Sequence, residues 1–506
     1  MSPLGRNRAT RLLSVLGAGA LALGALALTP AHAAPSYGNI DENASGTIVV
    51  HKHENQVGTD AVQDPDGNGT PIPTPPVSGV KFTAYQILDA DGKPVDLTVP
   101  STWDHLEDLK VSADGTTLTG GPGAPSGPWT VGGAVDSATT DAQGEATLEV
   151  DTIGAYVVVE SDAPADVVQQ AAPFVVTIPF PWEDGWLYDV NVYPKNALAS
   201  VSKSVEQQPA GSLGLGSVVT FPVSAKIPSL APGTSFENYV VRDTLDDRLD
   251  KVGVGTVTVE GAAVDKAYYD VVVTGHTVRV EFTEAGLAWL KSQGGKHVVV
   301  DFVGTIARLG DGVLKNEADV FVNDPDEQKG LTTNEVSTHW GDLVLHKTDA
   351  SNPGTGLEGA VFEVYAADTP YADQCSAAKP VGSPLAVNGA TQFTSGADGR
   401  IQIAGLFVSD SVNEKVDAGQ RCYVLKEVQA PAGFATPSGD AALTPVAVKT
   451  GATADVDVTI ENAQQRVPGI PLTGGQGSAL LVIGGLALLG LALAVMLRNR
   501  RRESQV

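Results

Sequence analysis

Cysteine and methionine each occur only twice in 506 residues, and 32 lysines and arginines are outnumbered by 59 aspartates and glutamates. Each scarcity removes a class. Two cysteines, Cys375 and Cys422, cannot build a disulfide-dense scaffold, and neither has the His/Cys company a zinc site needs. A formal net charge of −27 repels nucleic acid and anionic membranes. No HExxH, phosphate-binding glycine loop or Ser/His/Asp set is recognisable, so an enzyme is not expected, nor a cofactor or a metal. Long hydrophobic runs are also missing, except at the two ends.

At the N-terminus, Arg6, Arg8 and Arg11 precede an apolar run from Leu12 to Leu28, then Pro30 and Ala31-His32-Ala33. The short run, the helix-breaking proline and the small residues predict a secretory signal, residues 1–33, cut before Ala34, rather than a membrane helix. At the C-terminus, Ala479 to Leu497 is just long enough to cross a hydrocarbon core at about 1.5 Å per residue. Arg498, Arg500, Arg501 and Arg502 hold that end in the cytoplasm. An exported chain with two cysteines favours one Cys375–Cys422 disulfide over two free thiols.

Between the ends, Gly and Pro punctuate short runs rich in Val and Thr, such as "AYVVVESD", "VVTFPVSAKI" and "HVVVDFVGTI". Only residues 283–293 read as an amphipathic helix. The pattern predicts an all-β chain of serial immunoglobulin-like β-sandwiches. "GTIVVHKHE", "ASVSKSVEQ" and "GDLVLHKTD" each place a lysine in a short opening strand, which implies three units: residues 34–196, 197–341 and 342–463. Residues 464–506 form the C-terminal tail. The stretch 63–79, rich in Pro and Gly, is read as a loop within the first unit, because "VKFTAYQI" follows it directly.

In the third unit Lys347 lies in the opening strand, Glu427 in "YVLKEVQAPAGF", and Asn462 ends "DVDVTIEN". A charge or unpaired amide buried alone costs several kcal/mol, so the three belong together. Burial favours a neutral amine and a neutral acid. The amine is then a nucleophile toward the Asn462 amide, the acid can polarise the carbonyl and shuttle protons, and proximity supplies the effective concentration. The product is a Lys347–Asn462 isopeptide bond with loss of ammonia. From spacing alone, a buried Lys347–Glu427 salt bridge with Asn462 merely ending a strand fits equally well.

Three motifs in order carry a family resemblance. Ile470-Pro471-Leu472-Thr473-Gly474 before the apolar segment resembles the LPxTG cell-wall sorting signal, with Ile470 in place of leucine. Tyr423, Leu425, Glu427, Ala430, Pro431, Gly433 and Phe434 resemble the E-box of Gram-positive pilins, and Tyr193-Pro194-Lys195-Asn196 resembles their pilin motif. Together they resemble the shaft subunits of sortase-assembled pili, most strongly the three-domain actinobacterial type of Actinomyces and Corynebacterium.

The resemblance implies Cna-type sandwiches and cleavage by a sortase between Thr473 and Gly474, with the membrane segment as a transient tether. It also implies transfer of the Thr473 carbonyl to the Lys195 amine of the next subunit. Implied partners are further copies of the chain, pilus-specific and housekeeping sortases, minor or tip pilins, peptidoglycan and a host or bacterial surface receptor. A monomeric wall-anchored adhesin, or a minor pilin, shares the sandwiches and sorting signal and is the alternative; an adhesin monomer has no need of Lys195, which is then an ordinary interdomain lysine.

For the middle unit the resemblance implies a lysine, an aspartate and an asparagine. Lys203 in "SVSKSV" and Asp243 in "YVVRDTLDD" fit the first two, although Asp243 also suits a turn. Asn316 and Asn334 compete for the third, with Asn316 preferred at the head of "ADVFV". In the first unit Lys52 and Glu160, in the E-box-like "YVVVESDAPADV", suggest a further bond, but no asparagine is clearly placed, so that unit is expected to be unlinked and more labile. His51 and His53 flank Lys52 without a carboxylate or cysteine framework and are expected to be solvated.

Overall fold

The structure, a computed structural model, describes residues 39–55, 63–123, 127–464 and 476–503. The signal segment 1–33 and the Ile470–Gly474 motif lie outside the described residues. Among them the chain is all-β, in three β-rich bodies that follow one another along the sequence.

In the first body, Gly46–His51 pairs antiparallel with Glu145–Val150 and parallel with Asp189–Val192. The facing sheet runs in the order Phe174–Ile178, Gly154–Asp162, Lys81–Leu88, Thr130–Thr139. Ile48, Val50, Leu148 and Val190 meet Phe82, Tyr156 and Val158 in one core. Ala155 and Val157 point to a second core with Ile87, Leu106 and Trp129. The continuous apolar run in "AYVVVE" reflects this burial on both faces. A helix at Pro100–Glu107 covers the second core. The sequence does not announce it: Val99 at its N-cap makes no side-chain cap hydrogen bond, and docking of Leu106 holds a segment with weak signals of its own.

The middle body stacks two five-stranded sheets. Val218–Lys226 and His297–Ile306 alternate strictly between outer and buried positions, as strands with one face in a core must. Phe221, Val223, Val300 and Phe302 thereby face Val241, Val278, Val280 and Val320. The expected helix is present at Glu284–Lys291, capped by Thr283, whose hydroxyl accepts from the Gly286 amide at 3.2 Å.

The third body is organised by one 14-residue strand, Val336–Asp349, which pairs with Val313–Asn316, Arg400–Asp410 and Val458–Asn462. This strand runs through position 341, so middle and third bodies share a strand and a continuous core. Position 196 likewise falls inside a strand, Lys195–Leu198. The first body meets the middle one through a Glu54–Lys226 ion pair and through Asn55 Nδ2, which donates to the Ser229 carbonyl at 2.9 Å. Cys375 and Cys422 form a disulfide, Cα–Cα 5.4 Å, joining a short turn to the Gln420–Gln429 strand. At the C-terminus, Gln476–Glu503 is helical, and its 20-residue stretch Leu481–Arg500 is long and apolar enough to cross a membrane.

Candidate functional site: three buried lysine clusters and the Lys195 strand

In the third body the first and last strands lie side by side in parallel, with Lys347 opposite Ile460. Asn462, two residues further on, returns to the same face of the sheet. Lys347 Nζ donates to Asn462 Oδ1 at 2.8 Å, Asn462 Nδ2 donates to Glu427 Oε1 at 2.7 Å, and Lys347 Nζ lies 3.2 Å from Glu427 Oε2. All three side chains are buried. Glu427 reaches them from the facing sheet, where it pairs with Phe362, and the Lys347 ammonium sits over the Phe362 ring at 5.9 Å.

The first body repeats this plan. His53 lies opposite Lys195 in a parallel ladder, so Asn196 is again two residues past the partner position of the buried lysine, Lys52. Glu160 pairs with Phe82 beside a register shift like the one beside Phe362, and Lys52 Nζ sits 5.4 Å from the centre of the Phe82 ring. Lys52 Nζ donates to Glu160 Oε2 and Asn196 Nδ2 donates to Glu160 Oε1, both at 2.9 Å. Asn196 Oδ1 is buried with no hydrogen-bond partner among the described residues. An asparagine that sequence reasoning did not place is therefore in the cluster.

In the middle body Lys203 Nζ donates to Asp243 Oδ2 at 2.5 Å, and Asn316 Nδ2 donates to the same oxygen at 3.2 Å. Asn334 does something else. Its Oδ1 accepts from the Lys203 amide at 2.9 Å and its Nδ2 donates to the Lys203 carbonyl at 3.0 Å, so it clamps the lysine backbone while Asn316 meets the side chain. Asp243 is not a turn residue: it lies in Tyr239–Thr244, fully buried, between Val278 and Ala318.

Burial shifts the three lysines and Asp243 toward their neutral forms. Desolvation lowers the Lys52 amine to about 8 against the attraction of Glu160. Lys203 and Lys347 are lowered by burial against Asp243 and Glu427, and burial raises Asp243 against the pull of Lys203. In the third body the depressed amine is held on both the amide and the acid, and in the other two amine and amide meet on a shared carboxyl, the proximity that amide exchange requires.

Lys195 occupies the opposite face of the strand that carries Asn196. It is half-buried, and its amine makes no hydrogen bond or ion pair among the described residues. The loop at 63–79 packs against the residues just before it: the Asp64 carbonyl accepts from Tyr193 Oη at 3.2 Å, and the Pro65 carbonyl accepts from Asn191 Nδ2 at 3.2 Å. His51 and His53 are half-buried rather than solvated. His51 stacks on Tyr193 with centroids 4.9 Å apart, and its Nε2 contacts Asn191 Oδ1 at 2.7 Å. His53 Nδ1 donates to the Thr74 carbonyl at 2.7 Å.

The chain as a whole is similar to known proteins. A family profile for the N-terminal domain, Gram-positive pilin subunit D1, matches residues 43–197; a prealbumin-like fold domain matches 341–464; an LPXTG cell wall anchor motif matches 464–504. Fimbrial subunit type 2 of Actinomyces naeslundii is 38% identical over 99% of this chain and 97% of its own length. The chain belongs to the Gram-positive fimbrial subunits. Fimbrial subunit type 1 of Actinomyces viscosus is 31% identical over 97% of this pilin and 98% of its own length. Among solved structures, the full-length major pilin SpaD of Corynebacterium diphtheriae matches 85% of this pilin and 99% of its own chain, with TM-score 0.65 and 26% identity. It is a structural subunit of a sortase-assembled pilus, anchored to the cell wall.

Asn196 had a signal in this pilin's sequence. "DVNVYPKN", residues 189–196, matches "DVDVTIEN", residues 455–462, in Asp-Val-x-Val-x-x-x-Asn. Comparing the closing strands, as well as the opening ones, places Asn196 where Asn462 stands.

Proposed function

We propose that this pilin is the shaft subunit of the fibre, joined by transfer of a sortase-bound Thr473 carbonyl to the Lys195 amine of the next copy. The observation that carries the reading is the division of labour on Lys195–Leu198: Asn196 points into a buried cluster, and Lys195 presents an unpaired amine on the other face, beside the seam with the middle body. A thioester acyl carbon bonded to that amine releases the sortase thiol and leaves an amide between subunits.

The three units proposed are residues 34–196, 197–341 and 342–463. Each carries one internal bond: Lys52–Asn196, Lys203–Asn316 and Lys347–Asn462. In each, the amine nitrogen bonds to the asparagine Cγ, the Cγ–Nδ2 bond breaks, and ammonia leaves with the proton passed through Glu160, Asp243 or Glu427. This is single-turnover chemistry on the chain itself, so the pilin is not an enzyme. Its partners are further copies, pilus and housekeeping sortases, minor or tip pilins, peptidoglycan, and a surface receptor.

The test is wall-released protein resolved in SDS. Lys195→Ala is expected to abolish the high-molecular-weight ladder while monomer stays anchored. A ladder that persists removes the shaft reading and leaves a wall-anchored adhesin.

A further inference from the structure

The geometry points to His53 as the group that accepts the proton from Lys195 when its amine is acylated. The inference rests on Lys195 being the acceptor.

Lys52 and Glu54 point inward, to Glu160 and to the seam with the middle body, so His53 between them faces outward. In the parallel ladder His53 is the direct partner of Lys195, which faces outward for the same reason beside inward Asn196. Neighbouring strands lie about 4.8 Å apart, so an imidazole and a lysine stem on one face are neighbours. The tautomer is fixed as well. A carbonyl oxygen only accepts, so the 2.7 Å contact to Thr74 requires the hydrogen on Nδ1, and the neutral ring carries its lone pair on Nε2. Nε2 makes no hydrogen bond or ion pair among the described residues.

His51 differs, because both its ring nitrogens are engaged, with Asn191 and Glu145. Of the two imidazoles beside the pilin motif, only His53 has a ring nitrogen without a partner among the described residues.

The step balances. The neutral Lys195 amine adds to the thioester carbon and its nitrogen becomes positively charged; Nε2 of His53 takes one proton; the carbon–sulfur bond breaks and the thiolate leaves with the electron pair. The imidazolium then returns its proton to the thiolate or to water. Without a base, the nitrogen of the adduct keeps its proton and the amine is the better leaving group, so the adduct reverts.

The experiment uses the exported chain as acceptor and a phenyl thioester of the peptide Ile-Pro-Leu-Thr as stand-in for the acyl-enzyme. Site-specific acylation is followed by peptide mass mapping, with exposed Lys93 and Lys110 as internal references. Wild-type Lys195 is expected to react faster than both. His53→Gln, which can still hydrogen-bond the Thr74 carbonyl but is no base, is expected to lower the Lys195 rate roughly 100-fold and leave the references unchanged. In His53→Ala, added imidazole is expected to restore the Lys195 rate. A wild-type rate in His53→Gln, or no recovery with imidazole, overturns the inference, and the second result assigns His53 a packing role. Neither touches the acceptor reading, which falls only if the ladder survives Lys195→Ala.

Discussion

Lys52 and Asn196 each hydrogen-bond one oxygen of the Glu160 carboxylate, at 2.9 Å, so a single buried acid holds an amine and an amide 144 residues apart in sequence against each other. The same relationship joins Lys347 and Asn462 through Glu427. A buried pair of this kind is a weak source of stability while it remains non-covalent, because desolvating the charges offsets their attraction. It would become useful if the proposed amide formed, since the lysine charge would then give way to a neutral covalent link between the strands that carry Lys52 and Asn196.

The intact mass of recombinant residues 34–466 is expected to fall short of the calculated value by three molecules of ammonia, after the disulfide is allowed for. Glu160→Ala, Asp243→Ala and Glu427→Ala are each expected to restore one. A deficit of two that Glu160→Ala leaves unchanged would show that the first body folds without its bond.

Asn316→Ala and Asn334→Ala separate the two candidates in the middle body. Asn316→Ala is expected to restore one ammonia. Asn334→Ala is expected to retain the mass deficit yet lower stability by about 1–3 kcal/mol in denaturant unfolding, because it removes both side-chain hydrogen bonds to the Lys203 backbone. The reverse pattern would exchange their roles.

Stability against pH reports the unlinked Lys52. In Asn196→Ala the amine stays free, with a folded value of about 8 against 10.5 unperturbed. The unfolded chain then binds more protons between those values, so the variant is expected to gain stability as pH rises from about 8 to 10.5, by at most about 3 kcal/mol. A wild type linked as proposed has no free Lys52 amine to titrate and is expected to lack this gain. Chemical denaturation of both proteins at pH 7.5 and pH 10 gives the difference, and equal changes would show that Lys52 remains charged when buried.

Neither cysteine is expected to react with a thiol label in unreduced, denatured protein, and both are expected to react after reduction. Closing 47 residues contributes up to about 4 kcal/mol on the chain-entropy model. A Lys347–Asn462 link, if formed as proposed, would already restrict the unfolded chain, so Cys375→Ser with Cys422→Ser is expected to cost more in Glu427→Ala than in the wild type. Equal costs would argue against that link.

The sequence by itself determined the β class, the anchor motif with its C-terminal apolar helix, the disulfide pair, and the grouping of Lys347, Glu427 and Asn462. These rest on local patterns: alternation within a strand, a motif before an apolar segment, two cysteines with no other partner, an acid in a recognisable run. The Tyr193–Asn196 motif that holds Lys195 stands out in the sequence for the same reason. What the tertiary structure decided depends on register between strands far apart in the chain. Asn196 enters the first cluster because the parallel ladder places it two residues past the partner position of Lys52, and a slip of one residue would send it outward and Lys195 inward. Asn316 and Asn334 are both asparagines in polar surroundings on paper, and only folding delivers one to a side chain and the other to a backbone. The helix at Pro100–Glu107 exists through docking over Trp129 and Ile87 rather than through its own caps. Local patterns fix which residues alternate, but which lysine meets which amide is fixed by long-range pairing, whose direction and register the separate segments do not carry.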